Sequence, residues 1–222
     1  PGLIMRSVFG TLGIFCNFYA VDHLLLSNAS MLNKMSPFFV LVFSYFILRE
    51  RMDKVQVGLV VLAFIGSMFV VKPNFANAEL FPSAIGFAGG AFAGLAYTMV
   101  RKVSLQGEKG STIVIFFSSF SCLSVLPWML LKAEPMTLAQ FITLLGAGAA
   151  AAGGQFTITA AYSHAPGKEV SIYDYSQIIF AALFGFFLFG DVPDMFSVAG
   201  YVLIVGAAVI LFIYNNRPTT EN

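Results

Sequence analysis

The sequence predicts an all-α polytopic membrane protein with about eight transmembrane helices. Apolar residues make up 58% of the 222 residues, charged residues only 10%, and the mean hydropathy is +0.84. A soluble domain usually carries about 25% charged residues. The chain also contains eight mainly apolar stretches, each of about 18 residues or more and able to cross a hydrocarbon core of about 30 Å as a helix. The sequence therefore predicts that these stretches lie in the lipid bilayer.

The predicted spans follow one another with short connections. Turn and helix-stop signals lie between them, as at Lys72-Pro73-Asn74 and Pro166-Gly167. These connections leave no room for a soluble domain. The spans cover residues 3–22, 28–48, 55–72, 83–100, 112–131, 138–160, 169–190 and 195–214.

The basic residues predict the orientation of the spans. Short cytoplasmic loops are enriched in lysine and arginine, and alternation of the spans places nine of the twelve basic residues on one side. We expect that side, and with it both termini of this chain, to be cytoplasmic. A net charge of +1 gives no indication of nucleic-acid binding. The nine are Arg6, Arg49, Arg51, Lys54, Arg101, Lys102, Lys109, Lys168 and Arg217.

Several function classes find little support in the sequence. Cys16 and Cys122 lie within spans, where packing is their expected role, and neither has the spacing of a metal site. No nucleophile and base stand at a plausible spacing, and no phosphate-binding loop lies outside the apolar helices. The sequence therefore predicts no enzyme, no cofactor and no metal. A channel is an alternative, but it would more naturally show a polar stripe lining a pore.

An internal repeat emerges when the chain is aligned with itself at an offset of 141 residues. Spans one to three then correspond to spans six to eight, and equivalent spans cross the membrane in opposite directions. Such inverted repeats are typical of transporters. The offset places Ser30 on Ser171, Asp53 on Asp194, and Leu48-Arg49-Glu50 on Phe189-Gly190-Asp191.

This register predicts two repeats of unequal completeness. Residues 1–73 hold the last three helices of a first repeat, and residues 82–215 hold the five helices of a second. The fourth and fifth spans then correspond to two helices that would precede residue 1. We expect the chain to represent a ten-helix, 5+5 inverted-repeat fold without its first two helices.

Two segments carry a family resemblance. The first reads MSPFFVLVFSYFILRERMDKVQVGLVVLAFIG and the second YSQIIFAALFGFFLFGDVPDMFSVAGYVLIVG. Each resembles the drug/metabolite transporter superfamily, in particular its EamA-like domain, in which a helix ends in an L-G-E-R type signature before a Gly-containing helix. Glu50 and Asp191 stand at the acidic position, Arg49 stands where glycine is usual, and Ile178 replaces the proline present as Pro37. The resemblance implies ten helices and transport of a small metabolite, such as an amino acid or a drug-like solute, in a bacterial plasma membrane.

Polar side chains inside the spans are the candidate substrate-binding residues, because an unpaired polar group is costly in lipid. Asp174 is the candidate proton-coupling residue, since a carboxylate inside a span can exchange a proton. Pro37, Glu50 and Asp191 are predicted to be structural or hinge residues. The substrate-binding candidates are Asn17, Ser30, Asn33, Lys34, Tyr97, Gln155, Ser171, Tyr175 and Gln177.

Other interpretations of these residues stay open at the level of sequence. Lys34 could extend its side chain to the headgroups, and Asn17 and Gln155 could bond neighbouring helices. Glu50 could mark the membrane boundary, pair with a basic residue or cap the next helix. Because the inverted repeat brings Lys34 and Asp174 in from opposite sides, we expect them about 10 Å or more apart in height. Each would then line one mouth of a central cavity.

The sequence as a whole predicts a secondary-active transporter of small metabolites that works by alternating access. Its partners are a small-molecule substrate, the lipid bilayer and, as a candidate coupling ion, the proton. A channel or a membrane protein without transport activity is the alternative, and an intramembrane enzyme is the least favoured one. Substrate identity, transport direction and oligomeric state leave no signal in the sequence.

Overall fold

The computed structural model describes residues 1–51, 53–74, 79–132, 135–190 and 192–216. Eight helices in these segments are long and apolar enough to cross a membrane, which confirms the predicted all-α polytopic class. The largest difference from the predicted spans is at the end of α4, which continues past residue 100 through Arg101 and Lys102. The helices are α1 (Gly2–His23), α2 (Leu26–Leu48), α3 (Lys54–Val71), α4 (Leu80–Leu105), α5 (Gly110–Leu131), α6 (Leu138–His164), α7 (Gly167–Leu188) and α8 (Met195–Asn215).

Small residues let two pairs of antiparallel helices approach closely. In the α1–α4 pair, a Cβ atom added to Gly13 would lie 3.2 Å from the backbone nitrogen of Ala93. In the α3–α8 pair, a Cβ atom added to Gly200 would lie 2.5 Å from the carbonyl oxygen of Gly66. Helices α2 and α7 lie at the centre, because both contribute to the two clusters of buried apolar side chains.

The α3–α8 contact predicts that alanine substitution at two glycines of α8 has very different effects on stability. Gly200→Ala should destabilise the protein by about 1–3 kcal/mol, because the methyl group overlaps a carbonyl oxygen that cannot rotate away. Gly206→Ala is the matched control, since nothing lies within 4 Å of its added Cβ. Thermal unfolding of both variants in detergent measures the difference. Equal melting temperatures would contradict the close packing of α3 and α8.

Both central helices are interrupted. Helix α2 consists of Leu26–Asn33, Ser36–Phe43 and a π-helical turn, Ser44–Leu48. Its first interruption directly precedes the segment that has Pro37 in its first turn, where proline is tolerated and the preceding chain is displaced. Interruptions of this kind free backbone groups that a continuous helix would bond.

The corresponding helix α7 is interrupted without a proline. After Gly167–Val170 it passes through a 3₁₀ segment, Ser171–Tyr175, and continues as Ser176–Phe184. It ends in a π-helical turn, Gly185–Phe189. This turn lies 141 residues after the π-helical turn of α2, at the offset of the sequence repeat.

Each π-helical turn ends in a left-handed residue. Arg49 has φ 56° and Gly190 has φ 75°, so the arginine adopts the conformation that glycine favours. We expect Arg49→Gly to be more stable than Arg49→Ala by about 1 kcal/mol, because both remove the charge but only glycine avoids the left-handed strain. Thermal unfolding of the two variants is the measurement. Equal stability would contradict the backbone conformation at this position.

Aspartates fix both ends of the α3–α8 pair, and we call these the two end contacts. Asp53 caps α3 by accepting from the Val55 backbone, 3.2 Å, and also accepts from the Tyr214 hydroxyl. Asp194 caps α8 by accepting from the Ser197 backbone, 2.9 Å, and is bonded by the Lys72 ammonium. Since the helices are antiparallel, the two end contacts lie at opposite membrane faces.

The contact at Asp194 depends on pH. The Lys72 ammonium and the Ser197 backbone lower the pKa of Asp194 to about 2, below the value of about 3.9 for a free aspartate. The bonded carboxylate therefore contributes its full stability above about pH 4, and this contribution is lost as the pH falls towards 2. The Tyr214 hydroxyl likewise lowers the pKa of Asp53.

Candidate functional site

Two adjacent pockets that share six lining residues lie beside the interrupted helices α2 and α7, and we call them the two lobes of one cavity. The first lobe, about 580 Å³, contains Lys34 and Asp174, and we call it the Lys34 lobe. The second, about 600 Å³, extends along α1 to Arg6 and is the Arg6 lobe. The residues that line both lobes are Asn33, Ser36, Tyr97, Ala151, Gln155 and Gln177.

Lys34 is bonded inside the Lys34 lobe. Its Nζ donates to Gln177 Oε1 at 2.5 Å and to the Asp174 carbonyl oxygen at 3.4 Å. Its own carbonyl accepts a hydrogen bond from the Tyr175 hydroxyl at 3.1 Å. The side chain therefore joins α2 to α7 and does not extend to the headgroups.

The expected separation of Lys34 and Asp174 is wrong. The expectation counted only the rise of the helix backbone, whereas the Lys34 side chain reaches across the remaining height to the Asp174 carbonyl. The interruptions of α2 and α7 also expose backbone carbonyls there as acceptors. The two residues thus belong to the same lobe and not to opposite mouths.

The Asp174 carboxylate is held by an aromatic pair. Its Oδ2 accepts a hydrogen bond from the Tyr162 hydroxyl at 3.0 Å. Tyr162 is fully buried and stacks on Tyr97, with ring centroids 4.9 Å apart and planes 6° from parallel. The aromatic pair therefore fixes one oxygen of the carboxylate, and Asp174 also lines the Lys34 lobe.

The other predicted substrate-binding residues divide into two groups. Asn17 and Gln155 line the Arg6 lobe, and Gln155 also donates to Thr159 Oγ1 on its own helix at 3.2 Å. Ser171 and Tyr175 are completely buried. Ser30, Ser171 and Tyr175 are absent from the lining of both lobes as the described residues form them.

Two of the predicted hinge residues, Pro37 and Glu50, are not among the described residues that line the two lobes. Pro37 is buried in the first turn after the α2 interruption. Glu50 Oε1 lies 3.5 Å from Arg101 Nε, and both side chains are 15% exposed. Arg101 also donates to the Ser163 carbonyl at 2.9 Å, so Glu50 is part of a contact joining α2, α4 and α6. Asp191 lies outside the described residues.

Three residues of the cavity region carry weak sequence signals. Arg6 stands one turn inside the first predicted span. Because the orientation prediction counts it among the cytoplasmic basic residues, its sequence position gives no indication of a cavity residue. Phe117 is one of 25 phenylalanines, and Tyr162 lies near a helix end, where tyrosine is usually an interfacial anchor. Only the three-dimensional arrangement brings Arg6 and Phe117 to the Arg6 lobe and Tyr162 to Asp174.

Comparison with known proteins identifies the family of this arrangement. Residues 1–72 and 81–213 match the EamA-like transporter family. The chain belongs to the EamA-like transporter family. It is therefore a multi-pass membrane protein of a transporter family, as the resemblance in its two segments predicted.

Two curated transporters are similar to the chain in sequence, and a solved structure shares its fold. The chain is 34% identical over 212 residues to the pseudopaline exporter CntI of Pseudomonas aeruginosa (strain UCBPP-PA14), covering 95% of this chain and 74% of that protein. It is 24% identical over 216 residues to a riboflavin transporter of Brucella anthropi, covering 94% and 75%. A crystal structure with 15% sequence identity matches the fold with a TM-score of 0.82, covering 97% of this chain and 76% of that chain.

Proposed function

We propose that this EamA-family protein is a secondary-active transporter that moves a small metabolite across the bacterial plasma membrane by alternating access. The two-lobed cavity is its substrate site. The observation that carries the proposal is the meeting of Lys34 and Asp174 on two interrupted helices in one cavity. Interrupted helices that supply polar groups near the middle of the bilayer are a common form of transporter site.

The proposed substrate class is a small metabolite with polar groups, such as an amino acid or a drug-like solute. Lys34, Gln177, Asn33 and Gln155 supply the polar contacts, and Tyr97 supplies an aromatic face. Relatives named as exporters or transporters of pseudopaline and riboflavin support a small organic molecule. Asp174 is the proposed site of proton exchange during transport.

The proposed movement is a rocking of two halves, residues 1–73 and 82–215, about the cavity. The matching π-helical turns and the Asp53 and Asp194 caps, both at the repeat offset, support this division. Both termini of this chain are proposed to be cytoplasmic, because nine basic residues then face the cytoplasm.

Counterflow in proteoliposomes tests the proposal. Vesicles preloaded with an unlabelled compound should accumulate the same labelled compound transiently, since a carrier exchanges substrate across the membrane. A panel of labelled amino acids and small metabolites is used, with and without an imposed proton gradient. Saturable counterflow supports a carrier, whereas flux that rises linearly with concentration would contradict alternating access and favour a channel.

A further inference from the structure

Arg6 is a buried cation that has neither an anionic partner nor a hydrogen-bond acceptor in the described part of the chain. It is only 2% exposed, and its guanidinium carbon lies 3.8 Å from the centroid of the Phe117 ring. Its Nε atom is buried, and no described residue accepts a hydrogen bond from it. A buried charge normally requires a partner of opposite charge or several hydrogen bonds, so a residue in this state is a candidate for binding an anion.

The surroundings of Arg6 are shaped to hold the guanidinium in place. A Cβ atom on Gly10 would lie 2.2 Å from Arg6 Nη1 and 2.8 Å from Phe117 Cε2. The absence of a side chain at Gly10 therefore provides the space in which the guanidinium lies against the Phe117 ring. Stacking on an aromatic face leaves the edge of the guanidinium, with its N–H groups, available to a ligand.

Charge within the cavity also favours an anion. The charged residues among the described lining of the two lobes are Arg6, Lys34 and Asp174. Two positive groups and one negative group give the lining a formal net charge of +1. A substrate with a carboxylate would balance this charge, whereas a purely cationic substrate would add to it.

We propose that Arg6 binds the carboxylate of the transported metabolite, which makes the substrate class carboxylate-bearing metabolites. A guanidinium binds a carboxylate through two parallel N–H···O bonds, a geometry that an ammonium cannot reproduce. Lys34 and Asp174 in the neighbouring lobe then contact the remaining polar groups of the same molecule. This inference rests on the proposed transport function and specifies the substrate of that site.

Binding of a defined compound mixture tests the inference. Purified protein in detergent is equilibrated by dialysis against the twenty amino acids, their carboxamides, di- and tricarboxylic acids, sugar phosphates and neutral sugars, and mass spectrometry quantifies what it retains. We expect retained compounds to carry a carboxylate, with the matching carboxamides retained at least about tenfold less, since an ionic bond is replaced by a neutral one.

Four variants distinguish Arg6 from other sources of retention. Arg6→Gln should lose the retained carboxylates, and Arg6→Lys should keep part of the binding. Gly10→Ala should also weaken binding, because it displaces the guanidinium without removing it. Arg51→Gln is the control, since it removes the same charge from an exposed position. Size-exclusion chromatography establishes which variants are folded.

Several results would overturn the inference. These are retention of carboxamides at the level of carboxylates, retention of sugar phosphates in place of carboxylates, and no retained carboxylate. Undiminished retention by folded Arg6→Gln protein would overturn it as well. Counterflow is scored separately, so carboxylate binding that depends on Arg6 but gives no counterflow would uphold this inference while contradicting the proposed transport.

Discussion

Replacing Asp174 with asparagine is expected to abolish proton-driven transport while leaving a folded protein. Asparagine has the shape of aspartate and can still accept the hydrogen bond from the Tyr162 hydroxyl, but it cannot bind and release a proton. Uptake by proteoliposomes with an inward proton gradient should fall at least about tenfold, equivalent to about 1.4 kcal/mol in activation free energy. The pH dependence of uptake should disappear together with the rate.

Two further variants make this prediction specific to Asp174. Asp174→Glu retains a titratable carboxyl and should preserve pH-dependent uptake at a reduced rate. Glu108→Gln removes an acidic group from an exposed loop position and should leave uptake unchanged. If Asp174→Asn protein takes up substrate with unaltered pH dependence, Asp174 has no role in proton coupling.

Replacing Lys34 with methionine should have the second largest effect. The change keeps an unbranched side chain but removes the ammonium that bonds Gln177 and the Asp174 carbonyl. It also removes the contact to substrate that we propose for Lys34. Loss of one charge-assisted hydrogen bond costs about 1.5–3 kcal/mol, so substrate affinity should fall by roughly tenfold to a hundredfold. Equilibrium binding and the concentration dependence of counterflow both measure this change.

Lys132→Met is the matched control for Lys34. Lys132 directly follows α5 and is exposed. Its Nζ atom lies 5.8 Å from the centroid of the Trp128 ring, an arrangement typical of a lysine at the membrane interface. If Lys34 only extended to the lipid headgroups, as Lys132 does, both Lys34→Met and Lys132→Met would bind and transport substrate like the wild type. The double variant Lys34→Met, Gln177→Leu should lose less substrate affinity than the sum of the single losses, because these two side chains are bonded to each other and are energetically coupled.

The membrane fold was predictable because its main signal is local. A run of about 18 apolar residues predicts a span without reference to the rest of the chain, and for this reason the eight helices agree with the eight predicted spans. The left-handed residue at position 49 also had a local signal, since family members usually have glycine there. The sequence contains no comparable signal for the π-helical turns, because both turns consist of ordinary helix-compatible residues.

The site was predictable only in part, because contacts between helices are not local. Polar residues inside apolar spans pointed to Lys34, Gln177 and Asp174 one by one. Which of them bond each other depends on side-chain length and on how the interrupted helices cross, so the Lys34–Asp174 separation was misjudged. Arg6 illustrates the same limit. Its positive charge agrees with the predicted cytoplasmic side whether or not the side chain reaches the cavity, so the sequence does not distinguish the two cases.

The hydrogen bond from Tyr175 to the Lys34 carbonyl joins two positions that are 141 residues apart, the offset of the repeat. In the proposed arrangement of two inverted repeats, a residue that touches its own counterpart lies next to the pseudo-twofold axis relating the two halves. If the halves were chemically identical, the inward-open and outward-open forms would be the same structure turned over, and neither would be favoured. In the alternating-access cycle proposed above, lysine on one side of the axis and tyrosine on the other would make the two forms unequal in free energy, and the carrier without substrate would have a preferred resting orientation.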